Sequence, residues 1–318
     1  MARKSLFFLF LAGLFFSLIS PAIALEKAKL SSPVKVDATF YLPVLAAEER
    51  GFWKENGLEV EWVPFGGATP QMQAVAAGAI NFGMVPSIVL MTTAERGVPV
   101  VIVAEWVPND PFIIWVKTDS PYRNPLDLKG KRIAVTGMGA PTHAYGRLIV
   151  KANGIEKDVR FIGAGGVPQQ IAGLKVDSFE GMVMPLAPVV GLKVEGAIRE
   201  LASAADYLPK PWLEHVVFVR KDYARSQPEV VKKLLRAMLQ AADFIRKEPR
   251  WAMDKMKSFQ GFSEEAAKLL YERKRFTTTG RIDRKAVENV RRLCIEYGLL
   301  TEKAPAVDDL FTNEYLPG

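Results

Sequence analysis

The chain has a single cysteine, Cys294, and two histidines, His143 and His215. One cysteine excludes an intramolecular disulfide, so stability must come from packing. Cys294 lies in "AVENVRRLCIEYG", which reads as an amphipathic helix, and is expected to act as a small buried apolar residue. So few histidines and cysteines, far apart, argue against a dedicated zinc site, and no metal is expected. There is no G-x-x-x-x-G-K-S/T loop, no H-E-x-x-H and no G-x-S-x-G elbow. Long basic runs are also missing. The net charge of +7 is spread among 35 acidic residues, which argues against nucleic acid as a partner.

After residue 24 no long uncharged apolar run occurs. Before it, Arg3 and Lys4 precede an apolar stretch from Leu6 to Ile19, and Ala22-Ile23-Ala24 fits an A-x-A cleavage site. This predicts a secretory leader over 1–24 rather than a membrane span, which needs about 20 apolar residues. Cleavage after Ala24 lowers the net charge by two, to +5. No cysteine follows the apolar core, so lipid attachment there is excluded. A periplasmic location is expected.

What is present is an alternation of strand-like and helix-like segments. Strands are predicted over 34–40, 58–65, 80–85 and 98–106, the last nearly all apolar, as in a parallel sheet covered on both faces. Helices are predicted over 43–51, 69–78, with Thr69 as cap and Pro70 in the first helical position, and 86–97. "VPNDP" (107–111) breaks the series. A strand at 112–117 leads into a polar loop, and a second set follows: strands at 132–135, 159–164 and 179–184, with helices between. "LPKPW" (208–212) is a second break. Beyond it lie a strand-like run at 215–224, where His215 reads as structural, and a long helix at 228–249 with a proline at each end.

Two turns stand out. "FGGATPQMQ" (65–73) and "GMGAPTHAYG" (137–146) each follow a strand, carry glycines and place a proline at a helix start. Glycine permits tight turns and close approach of a ligand, and proline pre-sets the first helical turn. The free N–H groups and dipole of such a turn favour an anion. In open α/β sheets, ligands bind beyond the carboxyl ends of strands. One turn in each half predicts a ligand cleft with donors on both walls. The alternative is that both are helix caps without a ligand. "GMGAPT" begins like a dinucleotide fingerprint, but Thr142 stands where the third glycine belongs, and Asp158 falls beyond the helix. No cofactor is expected.

The segments 46–87 ("AAEERGFWKENGLEVEWVPFGGATPQMQAVAAGAINFGMVPS"), "LDLKGKRIAV" (126–135), "VVKKLLRAMLQAADFIRKEP" (230–249) and "VDDLFTNEYL" (307–316) resemble the periplasmic substrate-binding proteins of ABC importers. The branch is that of nitrate-, sulfonate- and taurine-binding and thiamine-pyrimidine-precursor-like proteins. The resemblance implies an α/β bilobed periplasmic-binding-protein fold, two open α/β sheets joined by a two-crossover hinge. Lobe 1 would be residues 25–110 and 214–318, and lobe 2 residues 111–213. It also implies a monomer that closes on a small-molecule ligand and docks on an ABC importer permease, without catalysis.

Carried over by position, the ligand wall of lobe 1 would be the turn Phe40, Tyr41 and Leu42, the turn Gly66, Gly67 and Ala68, and Pro86 with Ser87. Lobe 2 would offer Gly139, Ala140, Thr142 and His143, with the strand end Met184 and Pro185. Trp106, near the first crossover, could stack on a ligand or be a core tryptophan. None of these positions is Arg or Lys, and several are aromatic or apolar. A small organic anion or heteroaromatic compound (sulfonate, taurine, aromatic acid or pyrimidine type) is expected rather than nitrate. A ligand-sensing module is an alternative. Related fungal pyrimidine-synthesis enzymes carry a cysteine-rich motif, and that mapping fails on a single cysteine.

Overall fold

The computed structural model describes residues 25–318 apart from positions 36, 109, 274 and 275, so the leader expected over 1–24 lies outside the described residues. The described part is built on two mixed sheets of five strands each.

The first sheet starts with β1 (Glu26–Ser32), where Ala28 and Leu30 point inward between exposed Lys27 and Lys29. Then follow α1 (Ala38–Glu49), the short α2 (Phe52–Glu55), β2 (Leu58–Pro64), α3 (Ala68–Ala76), β3 (Phe82–Pro86), α4 (Ser87–Glu95) and β4 (Val100–Val107). The second sheet takes β5 (Ile113–Lys117), β6 (Arg132–Val135), α5 (Pro141–Ala152), β7 (Arg160–Gly163), α6 (Val167–Lys175), β8 (Gly181–Met184), α7 (Val190–Val194) and β9 (Ile198–Ser203). The chain then returns with β10 (His215–Arg220) to the first sheet, and ends in α8 (Lys221–Ser226), α9 (Pro228–Lys247), α10 (Pro249–Gln260), α11 (Glu264–Arg273), α12 (Arg284–Glu296) and α13 (Val307–Leu310).

The strand order is β2-β1-β3-β10-β4 in the first sheet and β7-β6-β8-β5-β9 in the second. β10 is antiparallel to both β3 and β4, and β5 is antiparallel to both β8 and β9. The two sheets are therefore copies of one plan, each with a reversed strand in the fourth place. The chain crosses between them twice, over 108–112 and over 204–214.

Several expectations need correction. The strand placed over 34–40 is not formed. Asp37 Oδ1 instead accepts the Thr39 N–H at 2.8 Å and caps α1, so Phe40, Tyr41 and Leu42 lie inside a helix and not in a turn. Thr69 is not a cap: α3 is capped by Gly67 and begins at Ala68, leaving Pro70 in its third position. β4 is not parallel to its neighbour. It is the outer strand of the sheet, antiparallel to β10, and its free edge is covered by the bridge from Ile102 to Phe311. Its apolar character has the expected cause, since Val101 and Val103 enter one core cluster and Val100 and Ile102 the other. β9 was not expected at all.

The C-terminal helices also touch the second sheet's unit. Arg273 of α11 pairs with Glu200 of β9 at 2.8 Å, and Arg147 of α5 donates to the Tyr297 carbonyl at 3.0 Å. α5 can lie close on its sheet because residue 146 is glycine: a Cβ there would come within 2.7 Å of the Phe161 ring and 3.1 Å of Val183. Among the described residues, no helix is long and apolar enough to cross a membrane.

Candidate ligand cleft

The shared strand order pairs the turns at the carboxyl ends of the strands. The β1–α1 turn corresponds to the β6–α5 turn, and the β2–α3 turn to the β7–α6 turn. The second pairing has a sequence echo that the reading above missed: "GGATPQ" (66–71) precedes and opens α3, and "GGVPQQ" (165–170) does the same for α6. Both end on a fully buried glutamine. Gln71 Nε2 donates to Ser31 Oγ at 2.9 Å and to the Met84 carbonyl at 3.1 Å, and Gln170 Nε2 donates to the Gly165 carbonyl at 2.9 Å. Each leaves its carboxamide oxygen buried without a hydrogen-bond partner among the described residues. The signal that could have found them was the common spacing from double glycine to glutamine.

The expected lining residues divide into those at the surface and those behind it. Gly66 and Gly139 are exposed, and Gly67, Ala68, Ala140, His143 and Pro185 are half-buried. Gly139 has φ +80°, a conformation that glycine adopts without strain. Between Gly137 and Gly139 stands Met138, an apolar side chain 65% exposed, which was not anticipated.

The polar groups of this turn face one another. Thr142 is buried, and its Oγ1 accepts the Thr136 N–H at 2.9 Å and bonds the Thr136 hydroxyl at 2.8 Å. His143 Nδ1 accepts the Gly139 N–H at 3.0 Å, and its ring meets Phe161 edge-on with centroids 5.1 Å apart. Burial, followed by the nearby Arg147 charge, lowers the His143 pKa. The imidazole is thereby kept in the neutral form that the acceptor role requires.

The remaining positions lie deeper. Phe40, Tyr41, Leu42 and Met184 are buried. Phe40 meets the His215 ring edge-on at 5.5 Å, and Tyr41 packs on Phe259 at 4.5 Å. Burial, then the charge of Asp37, pushes the Tyr41 phenol far above its ordinary range. Pro86 ends β3, and Ser87 spends both its donors on the return crossover: its N–H on the Glu214 carbonyl at 2.8 Å and its Oγ–H on the Leu213 carbonyl at 2.5 Å. Trp106 is fully buried, with Nε1 donating to the Thr39 carbonyl at 3.0 Å and its ring 5.6 Å from that of Phe276. The Met184 carbonyl accepts from Trp115 Nε1 at 3.0 Å.

Among the described residues, no group of three or more His, Cys, Asp and Glu is placed to hold a metal ion. What the turns before α3, α5 and α6 offer a ligand is neutral: backbone N–H groups, apolar surface at Met138 and the half-buried His143 ring, while the β1–α1 turn adds the exposed Lys35.

Comparison with known proteins agrees with this architecture. The chain is 26% identical over 211 residues to a Brucella abortus protein named only as a binding protein, covering 65% of this chain and 64% of that one. It is 30% identical over 199 residues to the taurine-binding periplasmic protein of Escherichia coli, covering 62% and 61%. It is 24% identical over 228 residues to a 4-amino-5-hydroxymethyl-2-methylpyrimidine phosphate synthase of Saccharomyces cerevisiae, covering 66% and 64%. The chain thus matches a little under two thirds of the length of these relatives.

Among solved structures, a Candida albicans protein described as having the generic periplasmic binding protein fold superposes with a TM-score of 0.75 at 15% identity, covering 91% of this chain and 96% of that one. The periplasmic aliphatic sulphonate binding protein SsuA of Escherichia coli gives 0.74 at 14% identity, covering 88% of this chain and 90% of that one. The periplasmic nitrate-binding protein NrtA of Synechocystis PCC 6803 gives 0.71 at 17% identity, covering 92% and 87%. At such identities the likeness is one of fold. A family model described as NMT1/THI5 like matches residues 39–252, from the first turn of α1 into α10, and the chain therefore belongs to the NMT1/THI5-like family.

Proposed function

We propose that this chain is an extracytoplasmic solute-binding protein that captures a small organic ligand between two lobes and delivers it to an ABC importer permease. The observation that carries this reading is the duplicated sheet plan joined by two crossovers, with glycine turns at the strand ends of both halves. Lobe 1 would comprise 25–110 and 214–318, and lobe 2 would comprise 111–213. The protein would act as a monomer, exported by the leader over 1–24 and without catalysis of its own.

The ligand class is a small organic anion or a heteroaromatic compound. An anionic group would be met by backbone N–H groups at helix starts, which bind anions without a counter-charge. Exposed Met138, half-buried Ala68 and half-buried Pro185 suit an organic body more than a bare inorganic ion. The taurine-binding relative and the sulphonate-binding fold neighbour support the same class.

A thermal-shift screen of residues 25–318 tests this, with taurine, aryl sulfonates, aromatic carboxylates, aminopyrimidines and nitrate as probes. An organic probe should raise the melting temperature by mass action on the folded state. Greater protection by nitrate than by any organic probe would refute the ligand class. Chemical conversion of a bound pyrimidine during incubation, detected by mass spectrometry, would refute the non-enzymatic reading.

A further inference from the structure

Tyr145 is 1% exposed and lies in the second turn of α5, four residues after Pro141, where the helix leaves the glycine turn. It reaches both crossovers. Its ring stacks on Phe112 of the first, with centroids 4.5 Å apart and planes 10° from parallel. Its hydroxyl donates to Glu214 Oε1 of the second at 2.8 Å. Trp212, also on the second crossover, presents its ring edge to Tyr145 at 6.5 Å and donates Nε1–H to Glu214 Oε2 at 3.0 Å.

Glu214 is equally buried, at 1% exposure, and belongs to the first sheet's side through its backbone. Its carbonyl accepts the N–H of Ser87, the first residue of α4. Its neighbour His215 opens β10 and meets Phe40 in the first turn of α1. The starts of two helices of the first sheet's unit and one of the second's thus converge on Glu214 and His215.

We propose that Tyr145 is a positioning residue that sets the relative orientation of the two sheets, by holding both crossovers to the helix that opens at the β6–α5 turn. A buried hydroxyl-to-carboxylate bond is strong and directional, and the stack fixes the ring plane. Together they give α5 one preferred angle against the crossovers. Whatever moves the start of α5 must move Tyr145 against Phe112 and Glu214. The inference goes beyond the ligand reading, and its test needs no ligand.

The test is the distance between spin labels on Lys54→Cys and Lys175→Cys, exposed positions beside the first and the second sheet. Cys294 is buried and its thiol is pushed up to about 12 by burial, so it does not compete for the label at neutral pH. Tyr145→Phe keeps the stack and removes the hydroxyl. The expected result is a distance distribution that broadens or shifts by about 2 Å or more, with the near-ultraviolet circular dichroism of the parent retained. Glu214→Gln, which turns one of the acceptor oxygens facing Tyr145 and Trp212 into an N–H donor, should give a change of the same kind. An unchanged distribution in both variants overturns the proposal. So does a change seen only together with loss of the circular dichroism signal, since that marks a purely structural role.

Discussion

Ser87 Oγ donates to the Leu213 carbonyl at 2.5 Å, joining positions 126 apart in the chain, while Ser87 N–H binds the next carbonyl, Glu214. One residue thus anchors the return crossover to the start of α4. Ser87→Ala removes the hydroxyl and leaves a buried carbonyl short of one partner, at a cost of about 1 kcal/mol. The urea midpoint should fall with the slope unchanged. A midpoint equal to the parent's would mean that the serine is not an anchor.

Gly146 faces the Phe161 ring in the space a methyl group would need. Gly146→Ala should destabilise by about 1–3 kcal/mol through overpacking, against the usual gain of replacing glycine in a helix. Adding Phe161→Leu should recover part of the loss. A stabilised Gly146→Ala protein would show that α5 shifts without cost.

Glu105, on β4, has its pKa raised to about 7, first by burial and then by the charge of Asp283. In the unfolded chain its proton leaves near the ordinary value of 4.5. Between those values the folded state holds the extra proton, so stability is lost as pH rises from 4.5 towards 7. Glu105→Gln should therefore raise the melting temperature near pH 8 and leave it unchanged near pH 4. The gain is on the order of 2 kcal/mol, at ~1.4 kcal/mol per unit and reduced for partial exposure. Equal effects at the two pH values would contradict the assignment.

His143 titrates in the opposite sense. Its folded pKa is lowered, so below about 6.5 the unfolded chain takes up a proton that the folded chain refuses. Stability is lost as pH falls from 6.5 towards the folded value. Protonation at Nδ1 would also break the bond from Gly139. In His143→Asn, the amide oxygen can accept from Gly139 without titrating, and the drop in melting temperature between pH 7 and pH 5.5 should shrink. An imidazole midpoint at or above 6.5 in a proton NMR titration would be incompatible with this geometry.

Much of the architecture could be read from residue order. The runs at 58–65 and 132–135, and prolines such as Pro141 and Pro228 in first helical positions, announced their elements, because their local chemistry and tertiary surroundings agree. The segment at 34–40 misled because "VKVDATF" alternates like a strand, while the deciding group is the carboxylate of Asp37 seated over Thr39 N–H. β9 escaped notice because "IRELAS" is half-buried and carries two charges. At the candidate cleft, the glycine turns were legible from composition. The inward-facing partners were not: whether Thr142 serves a ligand or Thr136, and whether Ser87 serves a ligand or a crossover, depends on atoms brought close only by folding.

The place of β10 sets an order of assembly. Its slot lies between β3 and β4, yet it is made only after the whole second sheet. As the chain emerges, β3 and β4 have no strand between them until residues 215–220 arrive, whereas the second sheet draws every strand from one continuous stretch, 113–203. That stretch can mature first, while the earlier one stays incomplete over its longest-range pairing, and such pairings are the slow ones to close. A chain halted short of residue 220 would thus hold a finished later half beside an unfinished earlier half.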